Sequence, residues 1–261
     1  MSDIKIIVAT HKKYEMPEDS IYLPVHVGRE GKEDLGYTGD NTGDNISLKN
    51  STWCELTGLY WGWKNLDCDY IGLVQYRRHF MKKKKSSAMA SVLNRQEAEK
   101  ILESTDIILP KPRNYLIMSL AEHFNGYDFT IDSDLPNIRA SIHEVDPSYD
   151  DAFDRVMRRK KGHMLNMFIM KKSLADQFCD WEYQVLSRYE SKIDPNRGRL
   201  VGYAAEHMLD VWIERNGLKY TECDVVLMDK KNDIYRKIDF VCRKLGLKHR
   251  FIDLTGVNKK S

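Results

Sequence analysis

A handful of short apolar runs, each closed by polar or charged residues, constrains this chain most. Ile4 to Thr10, Tyr70 to Gln75, Asp106 to Leu109, Leu165 to Met170 and Asp224 to Leu227 are short and mainly apolar, and the first is rich in β-branched residues. Runs of this length and composition predict buried strands. Between them lie segments of helical periodicity, and strands alternating with helices predict an α/β sheet flanked by helices. In open α/β sheets ligands bind beyond the carboxyl ends of the strands. Thr10-His11-Lys12, Gln75 to His79 and the residues after Leu109 are therefore where chemistry is expected.

Residues 28 to 45 hold five glycines with several Asp and Asn, which is loop chemistry. Trp53, Leu56, Tyr60 and Trp63 recur at spacings of three, four and three, which predicts a helix with an aromatic face and Ser47 as its N-cap. Residues 114 to 160 read as mainly helical. Leu174, Phe178, Trp181, Val185 and Tyr189 mark an amphipathic helix, and 203 to 214 another. These elements assign residues 1–228 to one domain. Residues 229–261 differ: they carry a net charge of +6, against −4 for the rest. There Ile234, Ile238, Val241 and Leu245 lie at spacings of four, three and four among Arg and Lys, the pattern of a basic amphipathic helix. Such a helix docks on a core or lies on an anionic membrane surface.

Bulk composition narrows the function classes. Of 261 residues, 42% are hydrophobic and 31% charged, and the net charge is +2, so neither a disordered chain nor a strongly basic nucleic-acid carrier is expected. Lys82 to Lys85 lacks interleaved aromatics, which also argues against nucleic acid. No apolar run reaches the ~18 residues that span a bilayer. The apolar stretch at Ile4 to Ala9 is too short for a signal peptide, so a cytosolic protein is expected. The five cysteines form no C-x-x-C pair, which suggests neither a zinc site nor a disulfide framework.

Signatures such as G-x-S-x-G, a Gly-rich phosphate loop or H-E-x-x-H are absent. The strongest candidates are Tyr76-Arg77-Arg78, where a strand end delivers adjacent guanidiniums. Arginine binds phosphate bidentately and stays charged at any working pH. Of the two D-x-D triplets, Asp67-Cys68-Asp69 precedes a strand, whereas a diphosphate-metal motif follows one. Asp132-Ser133-Asp134 reads as a turn or helix cap. Neither is assigned a metal. Further polar candidates are Asp44, Asn45, His163, Asn166 and Glu206. Glu206 lies on a helix with an apolar face, where burial would raise its pKa and suit it to act as a base.

Seven blocks in order resemble one bacterial family. They are V-A-T-H-K-K-Y at 8 to 14, T-G-D-N-I-S-x-K-N at 42 to 50 and C-E-L-T-G-L-Y-W-x-W-K-N at 54 to 65. Then follow Y-I-G-L-V-Q-Y-R-R-H-F at 70 to 80, D-I-I-L-P-K-P-R-N-Y at 106 to 115, N-M-F-I-M-K-K at 166 to 172 and R-L-V-G-Y-A-A-E-H at 199 to 207. The chain resembles the capsular polysaccharide, exopolysaccharide and O-antigen biosynthesis glycosyltransferases, long catalogued as a domain of unknown function. It departs from the family pattern at Gln75 and His207.

The resemblance implies a GT-A-like fold with a central mixed, mostly parallel sheet flanked by helices. It implies transfer from a UDP-sugar, and some relatives use UDP-galactofuranose. Thr10, His11, Lys12 and Tyr14 would line the nucleotide pocket, with Asp44, Asn45 and Asn50 in a donor loop. Tyr76, Arg77 and Arg78 would stand where related folds keep metal aspartates, so no cofactor and no divalent metal are expected. The expected reaction is an inverting transfer to a sugar hydroxyl of a lipid-linked oligosaccharide. Glu206 is the first choice of base and His163 the second. UDP-galactopyranose or another hexose donor is an alternative, as is a non-catalytic protein of polysaccharide assembly. The basic tail would then hold the protein against the inner face of the cytoplasmic membrane.

Overall fold

The computed structural model describes residues 2–127 and 129–228. The basic amphipathic stretch expected from Asp229 onward lies outside the described residues.

The first apolar run is strand β1 (Ile4–Thr10), with Ile4, Ile6, Ile7 and Val8 fully buried. It pairs in parallel with β2 (Tyr22–His26) on one side and β4 (Tyr70–Gln75) on the other. The short β3 (Thr38–Gly39) extends that edge. Beyond β4 come β5 (Arg78–Met81), β10 (Thr221–Leu227), β6 (Ile107–Pro110) and β9 (Phe168–Lys171). β9 also pairs with β4, so β4, β5, β10, β6 and β9 close on themselves. A separate pair, β7 (Arg113–Asn114) and β8 (Lys161–Gly162), sits outside this sheet.

The expectation of a mostly parallel sheet is corrected here. Half of the main-sheet pairings are antiparallel, namely β4–β5, β5–β10, β4–β9 and β6–β9. The physical cause is local. The chain leaves β4 through a two-residue turn at Tyr76-Arg77 and returns at once as β5, with Gln75 opposite Arg78. A connection that short permits only an antiparallel partner.

The aromatic helix is also divided. α1 (Asn50–Trp53) ends at Cys54, whose φ of 53° and ψ of −131° no helix accommodates, and α2 (Leu56–Asn65) follows. Ser47 heads a short 3-10 turn instead of capping an α-helix. Its hydroxyl donates to the fully buried Asp40 at 2.5 Å. Asp40 also accepts from the Gly28 and Arg29 amides and from Thr57 Oγ1, which ties the glycine-rich loop to α2. Trp53 and Trp63 both stack on Tyr183.

The remaining helices are α3 (Arg95–Leu102), α4 (Leu120–Asn125), α5 (Asp134–Val145), α6 (Asp150–Met157), α7 (Lys172–Glu190) and α8 (Leu200–Asn216). α7 packs on β4 and β9, α5 and α8 pack against α7, and α6 against α8. No helix among the described residues is long and apolar enough to cross a membrane.

Where β9 crosses β4 the backbones are so close that only glycine fits. A Cβ at Gly72 would lie 2.8 Å from the Phe168 carbonyl oxygen. Neither strand can move without disturbing its other neighbour. Gly72→Ala is expected to cost about 2–3 kcal/mol and several degrees of Tm, the usual scale of overpacking in a core. A thermal melt within a degree of wild type would show that the crossing relaxes freely.

Candidate active site

The carboxyl ends of β1 and β4 meet at one cluster. Thr10 Oγ1 donates to the Lys12 carbonyl at 2.6 Å and turns the chain after β1. His11 and Tyr14 then both reach the Tyr76 ring edge-on, at 5.4 and 5.0 Å between centroids. Lys12 Nζ lies 5.4 Å from the same ring and the Arg77 guanidinium 5.2 Å. The structure thus brings Thr10, His11, Lys12, Tyr14, Tyr76 and Arg77 together. Burial holds the His11 pKa below its ordinary value, helped by the positive charges of Lys12, Arg77, Lys32 and Arg199. A neutral imidazole ringed by fixed cations is an anion-receptive environment.

Because the β4 strand ends at Gln75, the two arginines follow different courses. Arg77 occupies the turn, whereas Arg78 is buried on the returning strand and donates to Gln75 Oε1. Gln75 passes the connection on, since its Nε2 donates to Glu55 Oε1 at 2.9 Å. Asn166 Nδ2 donates to the same Glu55 oxygen at 3.2 Å and to the Gly202 carbonyl at 3.3 Å. A chain of polar contacts therefore runs from Arg78 through Gln75, Glu55 and Asn166 to α8.

Glu206 lies one turn along α8 from Gly202. Its residue keeps some surface open, while its carboxyl is packed round by protein. Burial, reinforced by the negative charge of Glu55, raises its pKa to about 7; Arg113, Arg78 and the Leu165 amide oppose that rise. Two carboxylates, one held near neutrality, thus adjoin two arginines.

Backbone strain concentrates at the same place. Leu165 and Asn166 are consecutive non-glycine residues at φ 88° and 52°. That turn aims the Leu165 backbone amide at Glu206, and the Asn166 side-chain amide donates to Glu55. Cys54, also at positive φ, sets the direction of Glu55. Residues in such regions persist only where their surroundings over-determine them, and they gather at functional sites. Close packing assists: a Cβ at Gly202 would lie 2.9 Å from Cys54 Sγ. Arg199 Nε donates to that sulfur at 3.1 Å.

Other candidates are placed elsewhere or given other partners. Asp44 accepts from the Tyr60 hydroxyl, and its amide meets Asn65 at the far end of α2. Nine residues of helix separate that end from Leu56, about 13 Å at the helical rise. Asn45 bonds within its own loop, to the Ser47 amide and the Gly43 carbonyl. Asn50 clamps the helix break through the Cys54 carbonyl and Thr57 Oγ1. His163 is held at both ring nitrogens, Nδ1 by Asp210 at 2.5 Å and Nε2 by Glu222 at 3.2 Å. Burial lowers its pKa, yet the two carboxylates outweigh that and raise it overall. His207 is buried beside Phe124, and burial lowers its pKa to about 4, so it is a neutral core imidazole.

One aspartate of each D-x-D triplet has a structural partner. Asp69 Oδ2 accepts the Asp3 amide ahead of β4, at the opposite end of that strand from the arginines. Asp134 is fully buried, accepts the Ile131 amide and pairs with Arg197 at 2.6 Å. No group of three or more His, Cys, Asp or Glu able to hold a metal occurs among the described residues.

Glu55 and Arg113 were not singled out in the sequence. For Glu55 one signal was available: it is the only acidic residue between Ile46 and Leu66, in an otherwise apolar and aromatic helical stretch.

A solved structure described as the apo form of WbbM, a bifunctional glycosyltransferase, is similar to this chain. The TM-score is 0.80 at 26% identity, over 87% of this chain and 46% of that one. The chain therefore spans less than half of the structure it matches. Among curated proteins none matches. The family match runs from residue 5 to residue 217, through both strand ends, the strained turn and all of α8, and on that extent the chain belongs to the family described as a domain of unknown function, DUF4422.

Proposed function

We propose that the chain is a glycosyltransferase with a GT-A-like fold, moving a sugar from a UDP-sugar to a sugar hydroxyl of a growing surface polysaccharide. One observation carries the reading: the cation cluster at the ends of β1 and β4 continues into Arg78, whose charge acts on a carboxylate, Glu206, with a pKa raised to about 7. The likeness to WbbM supports it. Galactofuranose, which some relatives of the resembled family transfer, is the first donor sugar to test, with galactopyranose or another hexose as the alternative.

In this reading Lys12, Arg77 and Arg78 receive the diphosphate, and Tyr14 and Tyr76 flank the nucleotide. The acceptor hydroxyl attacks the anomeric carbon, Glu206 takes its proton, and UDP leaves with inversion. The guanidiniums offset charge that develops on the diphosphate as the glycosidic bond breaks, where preorganised cations act most strongly. Glu55, Gln75 and Asn166 hold the base and the arginines in register. His163 is a positioning residue in this scheme, because both of its nitrogens are engaged.

The test is donor turnover. Incubation with UDP-sugars, UDP-galactofuranose and UDP-galactopyranose among them, is expected to release UDP slowly without acceptor and faster with one. EDTA is expected to leave the rate unchanged, since arginines stand at the strand end and one aspartate of each D-x-D triplet, Asp69 and Asp134, is engaged elsewhere. No UDP release from any donor would favour a non-catalytic role. Loss on chelation, restored by manganese, would reassign the diphosphate contact to a metal.

A further inference from the structure

Beside Glu206 stands a group of rings that this reaction scheme leaves unused. Tyr127 and Phe129 stack at 5.0 Å with 13° between their planes, and Tyr203 closes on both at 4.9 and 4.6 Å. Tyr203 precedes Glu206 by three residues on α8, so the two share a face. The negative charge of Glu206 reaches both Tyr127 and Tyr203. Arg199 stands 5.7 Å from the Tyr203 ring centroid. All three rings are only half-buried, unlike the fully buried core aromatics Phe124, Phe168 and Tyr189. Among the described residues neither the Tyr127 nor the Tyr203 hydroxyl is engaged in a hydrogen bond.

We propose that Tyr127, Phe129 and Tyr203 form the acceptor subsite, a platform for the apolar face of a sugar ring whose hydroxyl points to Glu206. The inference rests on the transferase reading and adds to it the place and chemistry of the acceptor. A sugar ring carries a patch of C–H bonds on one face and hydroxyls around its rim. An aromatic face, negative at its centre, suits the C–H patch. Phenol hydroxyls and the Arg199 guanidinium suit the rim. Pockets for small molecules combine such apolar walls with a few polar groups in this way. The uracil of the donor is the competing occupant, but rings already stand beside the cation cluster, at Tyr14 and Tyr76, where a nucleotide base would lie.

The experiment is acceptor kinetics with a fixed UDP-sugar, using the methyl glycosides of galactose, glucose, mannose and N-acetylglucosamine as probes. Phe129→Ala and Tyr203→Ala are each expected to raise the KM of the preferred glycoside about tenfold, the scale of one aromatic contact. Phe129→Trp keeps a face and is expected to stay near wild type, whereas Phe129→Leu keeps only bulk and is expected to behave like alanine. UDP affinity by calorimetry is expected to stay unchanged in all four variants, which shows an intact fold. Unchanged acceptor KM in both alanine variants of a protein that transfers sugar overturns the platform alone. So does a leucine variant equal to wild type, or transfer to none of the four glycosides by a protein that does release UDP. A wild type that neither binds UDP nor releases it overturns the transferase reading as well.

Discussion

Glu206→Gln is expected to lose about three orders of magnitude in transfer rate while binding UDP as before, within the range measured for removal of a general base. Glutamine keeps the size and one hydrogen-bond acceptor, so the Leu165 amide keeps its partner, but it cannot take a proton. The pH profile supplies a second readout. Glu206 acts only when deprotonated, so the wild-type rate should rise with pH through about 7 and then level. Glu55→Gln removes the neighbouring negative charge that helps hold the proton on, and should move that rise to lower pH. Stability should respond in the opposite sense to activity. A carboxyl whose folded pKa lies above its unfolded value favours the fold below the unfolded value and loses that advantage as pH rises through about 7. Glu206→Gln should therefore melt no lower than wild type at pH 8. A variant that keeps wild-type transfer, or that unfolds at pH 8, would end the assignment.

The arginines should produce the next largest loss. Arg77→Ala and Arg78→Ala are each expected to lower turnover by about two orders of magnitude, the scale for one charged stabiliser of a transition state. They should differ in their side effects. Arg77 stands at a turn, so its removal should leave the melting temperature nearly unchanged. Arg78 is buried and bonded to Gln75, so its loss releases Gln75 and through it Glu55. Arg78→Ala should therefore also disturb the pH profile set by the two carboxylates. Lysine should restore either site only partly, because it offers a point charge in place of a planar fork. Wild-type turnover in both alanine variants at normal stability would make the pair structural.

Much of this arrangement was legible in the chain. Strands β1, β4, β6 and β9 are short apolar runs, and their apolar character and polar ends are local properties that local sequence encodes. The same holds for the amphipathic face of α7 and for the adjacent arginines after Gln75. A carboxylate on the apolar helix α8 was also visible, and burial, the largest cause of its raised pKa, could be read from that helix. The long-range pairings were not visible. That β5 returns antiparallel beside β10, and that β9 wedges between β4 and β6, depends on which apolar faces find each other. No spacing within one segment records that choice.

The site divides in the same way. The sequence alone determined that cationic and aromatic residues stand at two strand ends, and which helix carries the carboxylate proposed as the base. Only the tertiary structure decided that Glu55 joins Glu206. That outcome depends on Cys54 and on the Leu165–Asn166 turn adopting backbone conformations that an isolated chain avoids and that packing against Gly202 and α8 imposes. It also decided that Asp44 sits at the far end of α2 and that Asp210 and Glu222 occupy both nitrogens of His163. A residue's chemistry is written in its side chain, but its partners are set by contacts between segments far apart in sequence, and those contacts exist only once the core has closed.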